Sequence, residues 1–444
     1  MSKRSLHTME ELQKWLDDRY RDHSASVKLI SLEECRPWYY DEDSGQIRNE
    51  KGTFFRISGI RQYINGEVTA EQPIIIQNEI GFLGILTCKI DGVWHYLMQA
   101  KIEPGNVNVV QISPTLQATR SNFTRAHGGK SPEYLDYFLK MDPKDIVVDQ
   151  IQSEQSSRFL GKRNRNVIRK INELLPETDT HRWMTLEQIK MFMKQDNMVN
   201  MDTRTVLSCI PYVLLKQDAD CPFRDKNKFN KTASVINHRT ITELYHAIND
   251  HKMLKKPETE LIKLKDLKAW HMEGNEFICD SGAPFRVVFS DISIEGREVT
   301  AWRQPLFAAN GMATFGLAYC YDEGIIKFLV KIKPEIGCFD SVEIGPTMQL
   351  EPGTDSGSYN DIEKLLTDRL TVNKGIVTDC ILSEEGGRFY QEQNRNVIIE
   401  VEKNEIGALP PEYVWSDYGT LNILTQVNNC LNIQLRNLLA LLEL

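Results

Sequence analysis

The chain has 444 residues, with 62 acidic and 53 basic side chains and a formal net charge of −9. This balance argues against a nucleic-acid partner, because wrapping a duplex requires a basic surface. Hydrophobic residues make up 41% and charged residues 26%, which indicates a folded chain, and no apolar run approaches the roughly 20 residues of a membrane helix.

The first half is predicted to open with a helix and to continue as a β-rich segment. Thr8, followed three residues later by Glu11, is typical of a capping box at a helix start. Asp91-Gly92 lies between two apolar runs and predicts a tight hairpin. The predicted elements are a helix over 9–20, strands over 74–76, 84–90, 93–101, 108–113 and 145–152, and helices over 186–195 and 203–216.

The second half repeats the first at an offset of about 232 residues. The clearest match aligns 153–168 with 383–398, which share Arg-Phe and Asn-Arg-Asn-Val-Ile at the same spacing. The pattern predicts a helix over 241–249 with Thr240 as its N-cap, strands over 315–321, 325–333, 342–344 and 375–382, and a helical segment over 421–442.

We therefore expect an α+β fold in which one domain is duplicated in tandem, with mixed sheets flanked by helices. The first copy is assigned to 1–216 and the second to 239–444. A polar linker over 217–238, rich in Lys and Asn and without an apolar period, separates them.

The charged segment after the predicted strand 145–152 is a candidate pocket wall. Strand alternation places Asn164 and Asn166 on one face and Arg165 on the other. An arginine here suits forked binding of a phosphate or carboxylate, whereas the alternative is a solvated charged turn. The candidate residues are Glu154, Arg158, Asn164, Arg165 and Asn166.

A second candidate is the loop over 111–130, where an aromatic ring among cations suits a nucleotide, because the ring can stack on the base while the cations bind phosphates. Its candidate residues are Thr115, Gln117, Arg120, Phe123, Arg125 and His127. The second copy diverges after Gln349 and has no equivalent arginines or histidine, so we expect the first copy to hold the active pocket. A degenerate or secondary pocket is predicted from Thr347, Gln349, Glu384, Arg388, Asn394 and Arg395.

Two further pairs have two interpretations each. Lys101 and Glu103 share one strand face, either as an acid–base pair or as a surface ion pair. Asn200 and Arg204 share one helix face, where they either line the pocket or tie the helix to the sheet.

The usual cofactor and metal motifs are absent from the sequence. It contains no G-x-G-x-x-G after a strand, no phosphate-binding G-x-x-x-x-G-K-[ST], no H-E-x-x-H and no Cys/His cluster. We therefore expect neither cofactor nor metal. Nine scattered cysteines without a C-x-x-C pair, and an N-terminus without a secretory pattern, predict a cytoplasmic protein.

The chain resembles the NDP-hexose 2,3-dehydratases nearly from end to end. The resemblance is carried by LMQAKIEPGN, ISPTLQATRSNFTRAHGG, SEQSSRFLGKRNRNV and DNMVNMDTRTVLSCIP in the first half and SEEGGRFYQEQNRNV in the second. It implies deoxysugar biosynthesis on a dTDP-linked 4-keto-6-deoxyglucose, a homodimer, Nudix-like copies and a downstream 3-ketoreductase as pathway partner. The acidic Nudix metal box is missing, so pyrophosphate hydrolysis is not expected.

The chemistry of such a dehydration follows from the C4 ketone, which acidifies the C3 proton. A base removes that proton, the C2 hydroxyl leaves with help from an acid, and the enol tautomerises to a 3,4-diketo sugar. We assign Glu154 as base or acid, His127 as its partner or an enolate donor, and Lys101 as electrostatic support. The alternatives are a non-catalytic nucleotide-sugar binding protein and a Nudix-type hydrolase.

Overall fold

The computed structural model describes residues 5–52, 54–119, 132–212, 226–233, 235–295 and 299–442. The described chain is mixed α/β, with mostly strands and few helices. No helix in those ranges is long and apolar enough to cross a membrane.

The first half contains helices α1–α4 and strands β1–β12. In chain order they are α1 Met9–Arg21, β1 Ala25–Ile30, β2 Trp38–Asp41, β3 Gln46–Asn49, β4 Arg56–Ile64, β5 Glu67–Ile76, β6 Gly81–Ile90, β7 Val93–Ile102, β8 Val110–Ser113, β9 Leu116–Ala118, α2 Asp136–Leu139, β10 Ile146–Ser153, β11 Arg163–Ile171, β12 His181–Thr185, α3 Leu186–Met193 and α4 Met201–Ser208.

The second half contains helices α5–α9 and strands β13–β24. They are α5 Lys226–Ala233, α6 His238–Asp250, β13 Glu258–Ile262, β14 Trp270–Glu273, β15 Glu276–Cys279, β16 Phe285–Ile294, β17 Ala301–Ala309, β18 Thr314–Asp322, β19 Ile325–Pro334, β20 Val342–Gly345, β21 Met348–Leu350, α7 Asp361–Thr371, β22 Ile376–Ser383, β23 Gln393–Glu400, β24 Tyr413–Asp417, α8 Tyr418–Leu424 and α9 Ile433–Leu441.

Several local predictions are confirmed. Thr8 and Glu11 form the reciprocal capping box of α1. Asp91 and Gly92 join β6 to β7, and both have positive φ values (48° and 85°), as a tight hairpin turn requires.

Other local predictions differ from the structure. Helix α6 begins at His238, because the side chain of Asn237 rather than Thr240 accepts the first backbone N–H groups. The predicted linker over 217–238 contains helix α5. The segment 421–442 is two helices, because the chain between them hydrogen-bonds to β20 at Ile344 and Asn432 then caps α9.

Each half builds one seven-stranded mixed sheet. The order is β10-β11-β6-β7-β12 in the first half, with β8 on β7 and β9 on β6. The second half repeats it as β22-β23-β18-β19-β24, with β20 on β19 and β21 on β18. In both sheets one pair is parallel, β11 with β6 and β23 with β18, and the other pairs are antiparallel.

The two smaller sheets exchange strands between the halves. Strand β1 of the first half pairs with β16 of the second, and β13 of the second half pairs with β4 of the first. Each five-stranded sheet therefore contains one strand from the other half. The main hydrophobic core also draws on both halves, with Ile85 and Leu186 in the same cluster as Leu317 and Leu421.

Buried polar contacts tie the halves together in a pseudo-symmetric way. The guanidinium of Arg204 donates to the carbonyl oxygen of Ser383 at 2.8 Å, and that of Arg436 donates to the carbonyl oxygen of Ser153. The amide of Gln111 also donates to the Ser383 hydroxyl at 2.6 Å. Of the two interpretations of Arg204, the structure supports the tie, because this guanidinium holds the two halves together.

Candidate active site

A cavity of about 1560 Å³ lies against the first half's seven-stranded sheet. Small-molecule sites usually have about 300–1,000 Å³, so this one has room for a nucleotide joined to a sugar. Strands β6, β7 and β9 supply wall residues, and a loop of the second half supplies others. The aromatic side chains of Trp38, Phe54, Phe55 and Trp302 line it as well.

Glu154 lies in the cavity wall where the chain turns from β10 to β11. Its Oε2 accepts a hydrogen bond from Nδ2 of Asn164 at 2.6 Å, and its Oε1 accepts one from the backbone N–H of Gln155 at 3.3 Å. Lys162, whose Nζ donates to the Glu79 carbonyl oxygen at 2.6 Å, lines the same wall. Burial raises the pKa of Glu154 and lowers that of Lys162, although each charge partly offsets the effect on the other.

Lys101 and Glu103 form an ion pair in the cavity wall rather than on the outer surface. Nζ of Lys101 lies 3.1 Å from Oε1 of Glu103, and the Glu103 side chain is 5% exposed. The same oxygen accepts a hydrogen bond from Gln117 at 3.1 Å, and Asn200 donates to Gln117 at 3.3 Å. A row of polar side chains thus fixes the position of this carboxylate.

Asp202 lies in the first turn of α4, two residues after the N-cap Asn200. It lines the cavity and is 2% exposed. Its Oδ1 has no hydrogen-bond partner among the described residues. Burial, together with the carboxylates of Glu154, Glu385 and Glu103, raises the pKa of Asp202 well above its ordinary value.

The second half inserts the loop after β22 into this cavity, where Glu385, Gly387 and Arg388 line it. The loop is held by the backbone of Gly105, whose N–H donates to the Gly386 carbonyl oxygen at 2.7 Å. A Cβ at Gly105 would come within 1.6 Å of a backbone oxygen, so only glycine fits. Burial and the charge of Glu103 raise the pKa of Glu385 to about 7.

Arg388 and Arg158 each lie in the half opposite to the one that the sequence predicts for them. The Arg388 guanidinium lies 4.3 Å from the centre of the Phe55 ring, in the first-half cavity. Arg158 lies 4.2 Å from the centre of the Phe285 ring and donates to Glu351 at 3.2 Å, both in the second half. The prediction had placed Arg158 in the first pocket and Arg388 in the second.

The corresponding second-half site keeps the framework of the first. Asn394 donates to Glu384 at 2.6 Å, Gln349 donates to Glu335 at 2.8 Å, and Asn432 donates to Gln349 at 3.2 Å. These contacts match those of Asn164 with Glu154, of Gln117 with Glu103 and of Asn200 with Gln117.

Four charged positions distinguish the two sites. Glu392 and Glu351 stand in the second half where the first half has Lys162 and Thr119, and Gln434 and Gln155 stand where the first-half cavity has Asp202 and Glu385. Lys162, which Glu392 replaces, gives the first-half cavity a cation that the second-half site lacks at this position. The first-half cavity is therefore better suited to a diphosphate.

The remaining predicted site residues are distributed as follows. Thr115 lines the cavity and accepts a hydrogen bond from the Leu86 N–H at 3.0 Å, as Thr347 does from Ala318 at 2.8 Å. Asn166 is buried and donates to the Asn164 carbonyl oxygen at 3.0 Å. Outside the described residues lie Arg120, Phe123, Arg125 and His127.

Arg165 and Arg395 differ from the predicted role. Each forms a two-pronged ion pair on the partly exposed face of its strand, Arg165 with Asp149 at 2.7 and 2.6 Å and Arg395 with Asp379 at 2.9 and 2.6 Å. Strand alternation turns them away from Asn164 and Asn394, so neither lines the first-half cavity.

Charged residues of this cavity that were not among its sequence candidates include Lys162, Asp202, Glu385 and, as a first-half residue, Arg388. The available signal for Asp202 was its replacement by Gln434 in the second copy. Glu385 also differs between the copies, because Gln155 stands at its position, but the half that Glu385 and Arg388 serve depends on contacts between the halves.

Comparison with known proteins agrees with the duplicated layout. The family model described as NDP-hexose 2,3-dehydratase matches residues 9–210 and again residues 241–442, which confirms the predicted tandem duplication.

Three relatives extend over nearly the whole chain, and each is named dTDP-4-dehydro-6-deoxy-alpha-D-glucopyranose 2,3-dehydratase. The protein from Saccharopolyspora spinosa is 37% identical over 98% of this chain and 91% of its own length. Those from Streptomyces violaceoruber and Amycolatopsis orientalis are 35% and 32% identical, over 96% and 97% of this chain and 95% and 89% of their own lengths. With the family pattern present in both halves, this chain belongs to the NDP-hexose 2,3-dehydratase family.

Proposed function

We propose that the protein removes water across C2 and C3 of a dTDP-linked 4-keto-6-deoxyglucose, in the first-half cavity. The observation that carries this proposal is the meeting of buried carboxylates with Lys101, Lys162 and Arg388 in one cavity of nucleotide-sugar size. The names of the three relatives support the choice of substrate.

Glu154 is the proposed base that takes the C3 proton. Asn164 and the Gln155 N–H fix its two oxygens, and burial raises its pKa toward the range in which a carboxylate is an effective base. The ammonium groups of Lys101 and Lys162 supply positive charge for the enolate that forms at C4. Arg388, above the Phe55 ring, is the proposed contact to the diphosphate.

A panel of 4-keto nucleotide sugars tests this function and the choice of nucleotide. The protein is incubated with dTDP-, GDP- and UDP-linked substrates in the presence of a 3-ketoreductase that traps the labile diketone, and products are read by mass spectrometry. Loss of one water, fastest for dTDP, is the expected result. Release of a nucleoside monophosphate would indicate a hydrolase, and unchanged substrate bound to the protein would indicate a binding protein.

We expect dehydration to proceed without metal or nicotinamide in the dehydratase itself. The C4 ketone already acidifies C3, and protein cations face the developing charge, so the elimination needs no other electrophile. Protein dialysed against EDTA and then freed of the chelator should keep its initial rate, measured as water loss before the trapping step. A rate that collapses and is restored by Mg²⁺ or Zn²⁺ would contradict this mechanism.

We further propose, on the family resemblance, that the chain is a cytoplasmic homodimer with Nudix-like copies at 1–216 and 239–444, and that a 3-ketoreductase consumes its product. The mixed sheet with one parallel pair in each half supports the Nudix-like assignment. The exchange of β1 and β13 means that neither copy completes its smaller sheet alone.

A further inference from the structure

The elimination needs an acid as well as a base, and the first-half cavity offers a second carboxyl group in a different setting from Glu154. Asp202 lines the same cavity and is as deeply buried as Glu154. Whereas Glu154 accepts hydrogen bonds from Asn164 and Gln155, Oδ1 of Asp202 accepts none from the described residues.

These settings differ in how strongly they favour the neutral form. Burial raises the pKa of both groups, but at Glu154 the charge of Lys162 and the hydrogen bonds from Asn164 and the Gln155 N–H oppose that rise. Asp202 faces the carboxylates of Glu154, Glu385 and Glu103, which favour its neutral form more strongly than Lys101 opposes it. Two carboxyl groups whose surroundings separate them in this way are suited to act as base and acid in one reaction.

The second half provides an internal comparison. At the position of Asp202 it has Gln434, which is also buried and whose Oε1 and Nε2 have no partner among the described residues. At the position of Glu385 it has Gln155. An amide can hydrogen-bond to a ligand but cannot transfer a proton. At these two positions, therefore, only the first-half cavity has side chains that can act as acids.

We infer that Asp202 is the general acid of the elimination and gives its proton to the C2 hydroxyl as the C2–O bond breaks. Before this, Glu154 takes the C3 proton, and the electrons of the C3–H bond form the enolate of the C4 ketone. When that enolate collapses, the same electrons form the C2–C3 double bond, so that water leaves. The enol then tautomerises: C2 gains a proton from solvent and the C3 hydroxyl releases one to solvent. Glu154 gives its proton to solvent and Asp202 regains one, so both groups return to their starting states without any oxidant or reductant.

The test measures the two proton transfers separately. It rests on the proposed function, because both transfers belong to the proposed dehydration. In deuterated water the base alone exchanges the C3 hydrogen of unreacted substrate, which NMR detects, whereas loss of water needs base and acid. We expect Asp202→Asn to lower the dehydration rate about 10²–10⁴-fold and to keep C3 exchange. Asp202→Gln, which installs the side chain that the second half already buries, should behave in the same way.

A second substrate tests whether the missing function is proton donation. In a 2-deoxy-2-fluoro analogue the leaving fluoride has little need of a proton, so Asp202→Asn should release fluoride at nearly the wild-type rate. Asp417→Asn is the matched control, because Asp417 is a buried aspartate at the start of α8, does not line the cavity and can be replaced as a cap by asparagine.

The possible outcomes distinguish this inference from the function itself. Near-wild-type dehydration by Asp202→Asn, or a parallel loss of exchange, dehydration and fluoride release in both Asp202 variants, would overturn the role of Asp202. A wild-type protein that neither exchanges C3 nor loses water would instead overturn the proposed dehydratase.

Discussion

Glu154→Gln is expected to lower kcat about 10²–10⁴-fold while nucleotide-sugar binding stays nearly unchanged. The substitution keeps the size of the side chain and an acceptor for Asn164, but it removes the basicity needed at C3. Because the base acts first, this variant should also lose deuterium exchange at C3. Steady-state kinetics, with binding measured by calorimetry on the dTDP-sugar, checks both parts.

Glu384→Gln is the matched control, since Glu384 accepts the same 2.6 Å hydrogen bond from Asn394 in the second half. Burial raises the pKa of both Glu154 and Glu384, so the two carboxylates also resemble each other electrostatically. We expect a much smaller fall in kcat for Glu384→Gln. A comparable fall in both variants would mean that this carboxylate is structural, or that both halves catalyse the reaction.

Arg388→Ala is expected to weaken nucleotide-sugar binding about ten- to a hundredfold, seen as a rise in KM. Losing a charge-assisted hydrogen bond to a phosphate costs roughly 1.5–3 kcal/mol, and each 1.4 kcal/mol is about tenfold in affinity. The effect is large because Arg388, although it belongs to the second half, lines the first-half cavity.

Arg158→Ala makes the same change at the equivalent position and should act differently. Arg158 is buried against Phe285 and bound to Glu351, so its removal leaves a carboxylate without its cation. We therefore expect the main effect of Arg158→Ala to be a lower melting temperature, with a smaller rise in KM than Arg388→Ala causes. If Arg158→Ala raised KM more than Arg388→Ala, the reacting site would belong to the second half.

The parts of the fold that depend only on residues close together in the sequence were predictable. The Thr8–Glu11 capping box and the Asp91-Gly92 turn are local patterns, and the alternation that separates Arg165 from Asn164 needs only strand geometry. The duplication was visible because the two copies share long motifs at a nearly constant offset.

The exchange between the halves was not predictable for a physical reason. The duplicated strands β1 and β13 have similar lengths and burial patterns, so β4 has an equivalent partner strand in either half. The same ambiguity applies to the arginines, because Phe55 and Phe285 offer each of them an equivalent ring. Only the three-dimensional pairing of β1 with β16 and of β13 with β4 decides which half completes which site.

Deuterium labelling of the trapped product tests the central claim most directly. The protein is mixed with dTDP-4-keto-6-deoxyglucose and a 3-ketoreductase in deuterated water, and the reduced product is examined by NMR and mass spectrometry. Dehydration in the first-half cavity predicts a product that has lost the C2 hydroxyl and carries solvent deuterium at C2, formed by the wild type and Glu384→Gln but not by Glu154→Gln. A product that retains the C2 hydroxyl, or equal labelling by both variants, would contradict the account.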